Sequence, residues 1–178
     1  MNELEQQSQF ESLVLPHLDA AYNLARWLAG NDHDAADIVQ EASLRAFRFV
    51  AGFRGGNSRS WLLTIVRNTA YTWLKKNHAA TVIHVTDEEL TDMEDPTAIA
   101  ADTVLLQNAS ADVLRAAIEA LPVEYREALV LRELEGLAYK EIAGVAGVPI
   151  GTVMSRLARA RKQLQETLTA QGGPHELH

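Results

Sequence analysis

Apolar residues along this chain recur every three or four positions, and the runs are separated by glycine, proline and asparagine. This periodicity is typical of amphipathic α-helices that pack around a core. The predicted helices, in chain order, are Ser12–Ala29, Asp34–Phe49, Trp61–Lys76, Val104–Ala120, Glu124–Glu135, Tyr139–Ala146 and a last helix that begins at about Ile150. No strand-like alternation competes with them, so the pattern predicts an all-α protein.

The segment from Gly136 to Leu164 has the spacing of a helix-turn-helix. Gly147 can adopt the left-handed backbone that ends a helix, and Pro149 fits the first turn of the following helix. In that second helix, one buried stripe is predicted for Val153, Leu157, Ala160 and Leu164. A basic helix of this kind can enter the major groove, where arginine pairs with guanine edges. The predicted groove-facing residues are Ser155, Arg156, Arg159 and Lys162.

The distribution of charge qualifies the net charge of −8, which by itself disfavours a DNA-binding protein. Residues 42–76 contain seven basic and no acidic side chains, whereas residues 77–110 contain seven acidic and no basic ones. The local field, not the net charge, determines where a phosphate backbone binds. The sequence therefore predicts a nucleic-acid surface in residues 42–76. It predicts an acidic linker over residues 78–110, in which helical periodicity fails from His78 to about Thr103.

Enzymatic, metal and membrane functions find little support in the sequence. The chain has no cysteine, its six histidines lack metal-site spacing, and its glycines do not form a phosphate-binding loop. No segment approaches the roughly 20 apolar residues needed to cross a bilayer, and the N-terminus lacks the pattern of a secretory signal. We therefore expect no catalytic residue, no cofactor, no metal, no membrane insertion and a cytoplasmic location.

Three segments together resemble the extracytoplasmic-function (ECF) group of bacterial sigma factors. Asp34–Arg48, DAADIVQEASLRAFR, resembles the helix that binds core polymerase, and Phe53–Lys76, with WLLTIVRN, is similar to the promoter-melting region. Leu121–Leu164 resembles the promoter-reading C-terminal domain. This order of segments is far more specific than a helix-turn-helix alone, and the likeness extends over about residues 10–170.

The resemblance implies two small helical domains and a fixed division of the chain. Residues 1–77 form a region 2-like domain, residues 78–110 a flexible acidic linker, residues 111–170 a region 4-like domain and residues 171–178 a disordered tail. The linker of related proteins passes toward the path of the new RNA, so its acids are a candidate nucleic-acid mimic.

The resemblance also assigns candidate binding residues. The residues implied to bind the β′ and β subunits of core RNA polymerase are Asp37, Gln40, Glu41 and Arg45. Those implied to hold and melt the minus-10 element are Phe53, Arg54, Asn57, Ser58, Arg59, Arg67, Asn68, Tyr71, Trp73 and Lys75. On the minus-35 recognition helix, the resemblance adds Thr152 and Met154 to the predicted groove-facing residues Ser155, Arg156, Arg159 and Lys162. Met154 stands where the family often has Lys or Arg, so the usual upstream sequence does not transfer directly.

The implied function is that of an alternative sigma factor that directs core RNA polymerase to promoter DNA, with an anti-sigma factor as its inhibitor. Two alternatives remain open. A sigma-like decoy would sequester an anti-sigma factor without needing a basic DNA face, and a helix-turn-helix repressor would bind duplex DNA without polymerase.

Overall fold

The computed structural model describes residues 1–77 and 110–171, which form helices and connecting turns with no strand. The all-α prediction is confirmed for these ranges. The start of the helix predicted from Val104, nearly all of the acidic linker and the tail after Gln171 lie outside the described residues.

Four helices form the N-terminal unit. Their bounds are α1 Glu3–Val14, α2 Leu18–Ala29, α3 Asp32–Phe49 and α4 Ser58–Asn77. The core between α2, α3 and α4 is aliphatic, and its largest buried side chains are Leu24, Leu28, Ile38, Leu62 and Leu63.

The prediction of one continuous helix over Ser12–Ala29 is wrong. A single 3-10 turn, Leu15–His17, separates α1 from α2. Pro16 in this turn has no backbone N–H to donate to the preceding turn, so it interrupts the α-helical hydrogen-bond pattern. Gly30 then ends α2 with φ of 92°, and the side chain of Asn31 caps α3 by accepting from the backbone N–H of Asp34 at 2.9 Å.

The helix that carries most of the predicted minus-10 residues begins earlier than predicted. α4 starts at Ser58, three residues before Trp61, because Asn57 accepts a hydrogen bond from the backbone N–H of Ser60 at 3.1 Å. Trp61 is half-buried and packs edge-to-face on Phe53, with 5.3 Å between ring centroids. The loop before α4 is thereby fixed to the N-terminal unit.

Four further helices form the C-terminal unit. They are α5 Ala111–Glu119, α6 Val123–Leu129, α7 Tyr139–Ala146 and α8 Ile150–Gln171, and a π-helical turn Val130–Leu134 extends α6. The predicted helix-turn-helix is confirmed in α7 and α8. Its predicted stripe is buried at Val153, Leu157, Ala160 and Leu164.

The two units pack against each other, which the sequence did not predict. α4 lies against α7, and α2 lies against α6. Across the described ranges, every helix falls short of the combined length and apolarity that a membrane span requires.

The turn between α7 and α8 provides a test of this backbone. Gly147 has φ of 70° and no neighbour that a Cβ would meet within 4 Å, so Gly147→Ala introduces backbone strain alone. We expect a loss of about 1–2 kcal/mol in the free energy of unfolding. The matched control is Gly144→Ala within α7, which is equally open and should be neutral or stabilising by about 0.5–1 kcal/mol. Urea unfolding of both variants measures the difference, and equal effects would contradict the assigned turn.

Candidate nucleic-acid interface

The helix α4 has distinct faces, and only one of them belongs to the core of the N-terminal unit. A second face carries Ser60, Arg67 and Tyr71, which lie at i, i+7 and i+11 and therefore project from the same side. This second face meets the C-terminal unit. Asn68 and Lys75 lie beside it and are exposed.

A buried carboxylate of α6 holds the middle of this face. Glu127 is only 1% exposed, and the Nε of Arg67 donates to its two oxygens at 3.1 and 3.2 Å. The hydroxyl of Tyr71 donates to the same carboxylate. The Arg67 guanidinium also stacks on the Tyr71 ring, 3.7 Å from its centroid. We call Arg67, Tyr71 and Glu127, with the nearby Arg156 of α8, the Glu127 cluster.

Burial governs the electrostatics of the Glu127 cluster. Desolvation raises the pKa of the Glu127 carboxyl, while the positive charge of Arg67, the hydrogen bonds from Tyr71 and Arg67, and the charge of Arg156 oppose that rise. Burial, with the negative charge of Glu127, holds the pKa of Tyr71 well above its ordinary value. Tyr71 is therefore a neutral donor, and the positive charges of Arg67 and Arg156, from two different helices, both favour the carboxylate form of Glu127.

A second contact ties the start of α4 to α7. The side-chain amide of Asn57 donates to Glu141 at 2.6 Å, and the hydroxyl of Ser60 donates to the same oxygen at 3.2 Å. Glu141 also accepts from the backbone N–H of Ala138, which is the main reason that its pKa is lowered. One residue further along, Arg59 donates to the backbone carbonyl of Glu135 at 3.1 Å. Four of the predicted minus-10 residues thus bond to the C-terminal unit: Asn57, Arg59, Arg67 and Tyr71.

The remaining predicted minus-10 residues have varied surroundings. Arg54 is exposed in the loop, Ser58 forms a 3.0 Å hydrogen bond with the Nε2 of His17, and Trp73 is half-buried. Phe53 packs on Trp61 as described above. Arg54, Asn68 and Lys75 are therefore exposed, whereas the face of α4 that carries Arg67 is occupied by the C-terminal unit.

The predicted minus-35 residues of α8 are less exposed than expected. Ser155 is 3% exposed and donates to the carbonyl of Gly151 at 3.0 Å, and Arg156 is 9% exposed beside Glu127. Thr152, Met154 and Arg159 are half-buried, and Lys162 is exposed. In this arrangement of the units, Ser155 and Arg156 are not open to a DNA groove, so their role in DNA contact stays a prediction.

The predicted polymerase-binding residues form an exposed group on α3. Asp37, Gln40 and Glu41 are exposed, and Arg45 bonds to Glu41 at 2.8 Å one turn away. At the start of α3, ligand atoms of His33, Asp34 and Asp37 lie within 4.8 Å of one another. His33 and Asp37 are exposed and Asp34 is half-buried, and exposed acidic groups are common without an ion, so this cluster alone is no evidence for a metal centre.

Comparison with known proteins decides which family has this pair of units. The models of "Sigma-70 region 2" and "Sigma-70, region 4" match residues 13–80 and 111–164. The RNA polymerase sigma-H factor of Pseudomonas aeruginosa is 36% identical over 170 residues, which cover 89% of this chain and 86% of that protein. The ECF RNA polymerase sigma-E factor of Escherichia coli K12 is 35% identical, over 74% of this chain and 72% of its own length. The chain belongs to the ECF sigma factor family.

Two further proteins that are similar to this chain are also sigma factors. ECF sigma factor SigE of Mycolicibacterium smegmatis is 35% identical over 160 residues, which span 61% of that longer protein. Among solved structures, the sigma factor RpoE in complex with the anti-sigma factor NepR, from Bartonella quintana, is similar with a TM-score of 0.67 and 28% identity. That match covers 90% of this chain and 96% of the solved one.

Sequence reasoning missed the acidic residues that contact α4 of this sigma factor. A signal for Glu127 was present, because it lies four residues after buried Val123 and three or four before buried Val130 and Leu131. A carboxylate at such a core position requires a partner. That partner, Arg67, is 60 residues away in the sequence, so local spacing cannot identify it.

The raised pKa of Glu127 predicts a pH dependence of stability. The native sigma factor takes up this proton at higher pH than the unfolded chain, so stability falls as pH rises from the ordinary glutamate pKa of 4.5 through the native value. Glu127→Gln removes this titration. We compare the free energy of unfolding of the unsubstituted protein with that of Glu127→Gln. The first minus the second should increase as pH is lowered from neutrality, by about 1.4 kcal/mol per unit of difference between the native and unfolded pKa of Glu127. Urea unfolding at several pH values measures it, and a decrease instead would show that the arginines lower the pKa.

Proposed function

We propose that this sigma factor binds core RNA polymerase through α3, holds the minus-10 element with α4 and its preceding loop, and reads the minus-35 element with α8. The division of labour is residues 1–77 for polymerase and minus-10 DNA, residues 78–110 as linker, and residues 111–170 for minus-35 DNA. Work on a bacterial polymerase requires a cytoplasmic protein. The main support is one observation: the exposed group of α3 and the acid-free, basic α4 lie on one unit, and the helix-turn-helix lies on the other.

The surface of α3 supports polymerase binding through its mixture of groups. Asp37 and Glu41 can accept hydrogen bonds, Gln40 can donate and accept them, and Leu44, on the same helix, is 57% exposed. An apolar side chain with a polar rim is the usual composition of a protein interface. The ion pair between Arg45 and Glu41 fixes the position of the latter for a partner.

The chemistry of α4 suits melted DNA. Arg54, Arg67 and Lys75 provide charge for the backbone, while Tyr71 provides a planar surface on which an unstacked base can stack. A flipped base costs a few kcal/mol to extrude, and contacts of that base with the loop that contains Asn57 would recover the cost. Two of these side chains, Arg67 and Tyr71, must first separate from Glu127.

The C-terminal unit supports minus-35 reading through the geometry of its helix-turn-helix. Thr152, Met154 and Arg159 lie on the first turns of α8, where a recognition helix contacts base edges. Lys162, one turn further, is exposed and suits a phosphate contact. The thioether of Met154 favours an apolar contact such as a thymine methyl group over the guanine contact that a cation would make.

A protein inhibitor fits the same scheme. The RpoE structure, similar to this chain over 90% of its length, contains the anti-sigma factor NepR. We extend this to an anti-sigma partner for the present chain. A pure decoy would not require seven basic and no acidic residues over 42–76, and a repressor would not require the exposed group of α3.

Run-off transcription tests the function directly. Core RNA polymerase and a pool of genomic promoter fragments are incubated with and without the purified chain. New start sites that share an upstream motif are expected only when the chain is present. An unchanged transcript pattern, despite binding of an anti-sigma factor, would favour the decoy, and specific duplex binding without polymerase would favour the repressor.

The role of α3 is tested by Gln40→Ala with Glu41→Ala. We expect affinity for core polymerase to fall by about tenfold or more, because loss of two interface contacts costs roughly 1.5–3 kcal/mol. The matched control is Gln7→Ala with Glu11→Ala, which removes the same residue types and a 3.1 Å hydrogen bond from the exposed face of α1. Fluorescence anisotropy with labelled chain measures both, and equal losses would remove α3 as the binding surface.

A further inference from the structure

We propose that His17 is a positioning residue for minus-10 recognition: its imidazole holds Ser58, and through Ser58 it fixes the loop that contacts the extruded base. This inference rests on the proposed role of that loop in binding minus-10 DNA. We call residues 53–58 the minus-10 loop. His17 is 41 residues away from Ser58 in the sequence and lies on a different element of the N-terminal unit.

The minus-10 loop is held at both of its ends and is exposed in its middle. Phe53, half-buried at the first end, packs on Trp61 of α4 with 5.3 Å between ring centroids. Ser58, half-buried at the other end, is hydrogen-bonded through its Oγ to the Nε2 of His17 at 3.0 Å. The residues between these two anchors, 54–57, are exposed. Two side-chain contacts therefore anchor the loop on either side of its exposed part.

The backbone of the minus-10 loop needs such anchors. Gly55 and Gly56 have φ of 90° and 94°, and glycine loses more conformational freedom on ordering than any other residue. A loop that becomes ordered only on binding loses part of its binding free energy to that ordering, whereas a loop fixed in advance does not. The contact with His17 provides part of this order before DNA binds.

The break between α1 and α2 places His17 against α4. His17 is the last residue of the 3-10 turn Leu15–His17, in which Pro16 interrupts the helical hydrogen bonds, and it is also the N-cap of α2. Its side chain makes no capping hydrogen bond to α2 and bonds to Ser58 instead. Both residues belong to the N-terminal unit, so this contact does not involve the C-terminal unit.

A hydrogen bond between two elements also stabilises the fold, and a second contact of the N-terminal unit allows the two effects to be separated. The side-chain amide of Gln6 donates to the backbone carbonyl of Phe47 at 2.8 Å, which joins α1 to α3. This bond is also partly buried and also joins residues 41 apart, but it includes no residue of the minus-10 loop. Its loss is therefore a matched structural control.

The experiment uses the full chain bound to core RNA polymerase and a promoter found by run-off transcription. Each base of the minus-10 element is substituted in turn, and the rate of open-complex formation is measured from the permanganate reactivity of unpaired thymines. The discrimination ratio is the rate on the original promoter divided by the rate on the substituted one. We expect His17→Leu to lower this ratio by about two- to tenfold at the base that the loop contacts, which is the effect of one lost hydrogen bond.

Four further variants define the cause of this change. His17→Gln, whose amide can occupy the place of the Nε2, should keep most of the ratio. Ser58→Ala should lower the ratio as much as His17→Leu does, and the double variant should lower it no further, because all three lack the same contact. Gln6→Leu should leave the ratio unchanged. Urea unfolding of His17→Leu and Gln6→Leu compares their stability.

Three outcomes would overturn the inference alone. The first is an unchanged ratio in His17→Leu. The second is an equal fall in Gln6→Leu, which would assign the effect to stability. The third is a further fall in the double variant, which would show that His17 does not act through Ser58. If the unsubstituted protein gives no transcript, or discriminates at no minus-10 base, the proposed function fails and the inference fails with it.

Discussion

A buried carboxylate lies in the contact between the two units, beside the hydrogen bonds that Glu141 and the Glu135 carbonyl accept from the start of α4. Glu127 loses nearly all contact with water, and its charge is stabilised by Arg67 and Tyr71 of α4 and by the positive charge of Arg156 of α8. Removal of one partner from such a buried pair costs about 3–5 kcal/mol, although replacement of the whole pair by apolar groups is often harmless. A buried ionic contact is therefore a costly way to stabilise a fold.

The helices and the helix-turn-helix could be predicted from the sequence because their determinants are local. The period of apolar residues, Gly147 and Pro149 each act within a few residues, and the turn they predict is the turn observed. The errors were local too, since the effect of Pro16 was overlooked and the cap provided by Asn57 starts α4 early. The contact between Arg67 and Glu127 could not be predicted, because it joins residues far apart in sequence and both are common on helix surfaces.

The residue types of the candidate site could be predicted from the sequence, but the partners that those residues contact could not. A basic, acid-free run and an arginine-bearing recognition helix follow from charge pattern and resemblance. The contact of α4 with Glu127 of α6 and Glu141 of α7 does not, because a sequence gives no measure of which partner an exposed cation will bind. The group on α3 is exposed, whereas the face of α4 that carries Arg67 is in contact with the C-terminal unit.

The most direct test is a cryo-electron microscopy structure of this chain on core RNA polymerase with an opened promoter. The account predicts that Arg67 and Tyr71 contact the melted strand, that Glu127 has separated from both, and that Asp37, Gln40 and Glu41 face the polymerase. An open complex in which Arg67 still bonds to Glu127, with DNA held elsewhere, would contradict the central claim that one face of α4 serves both partners.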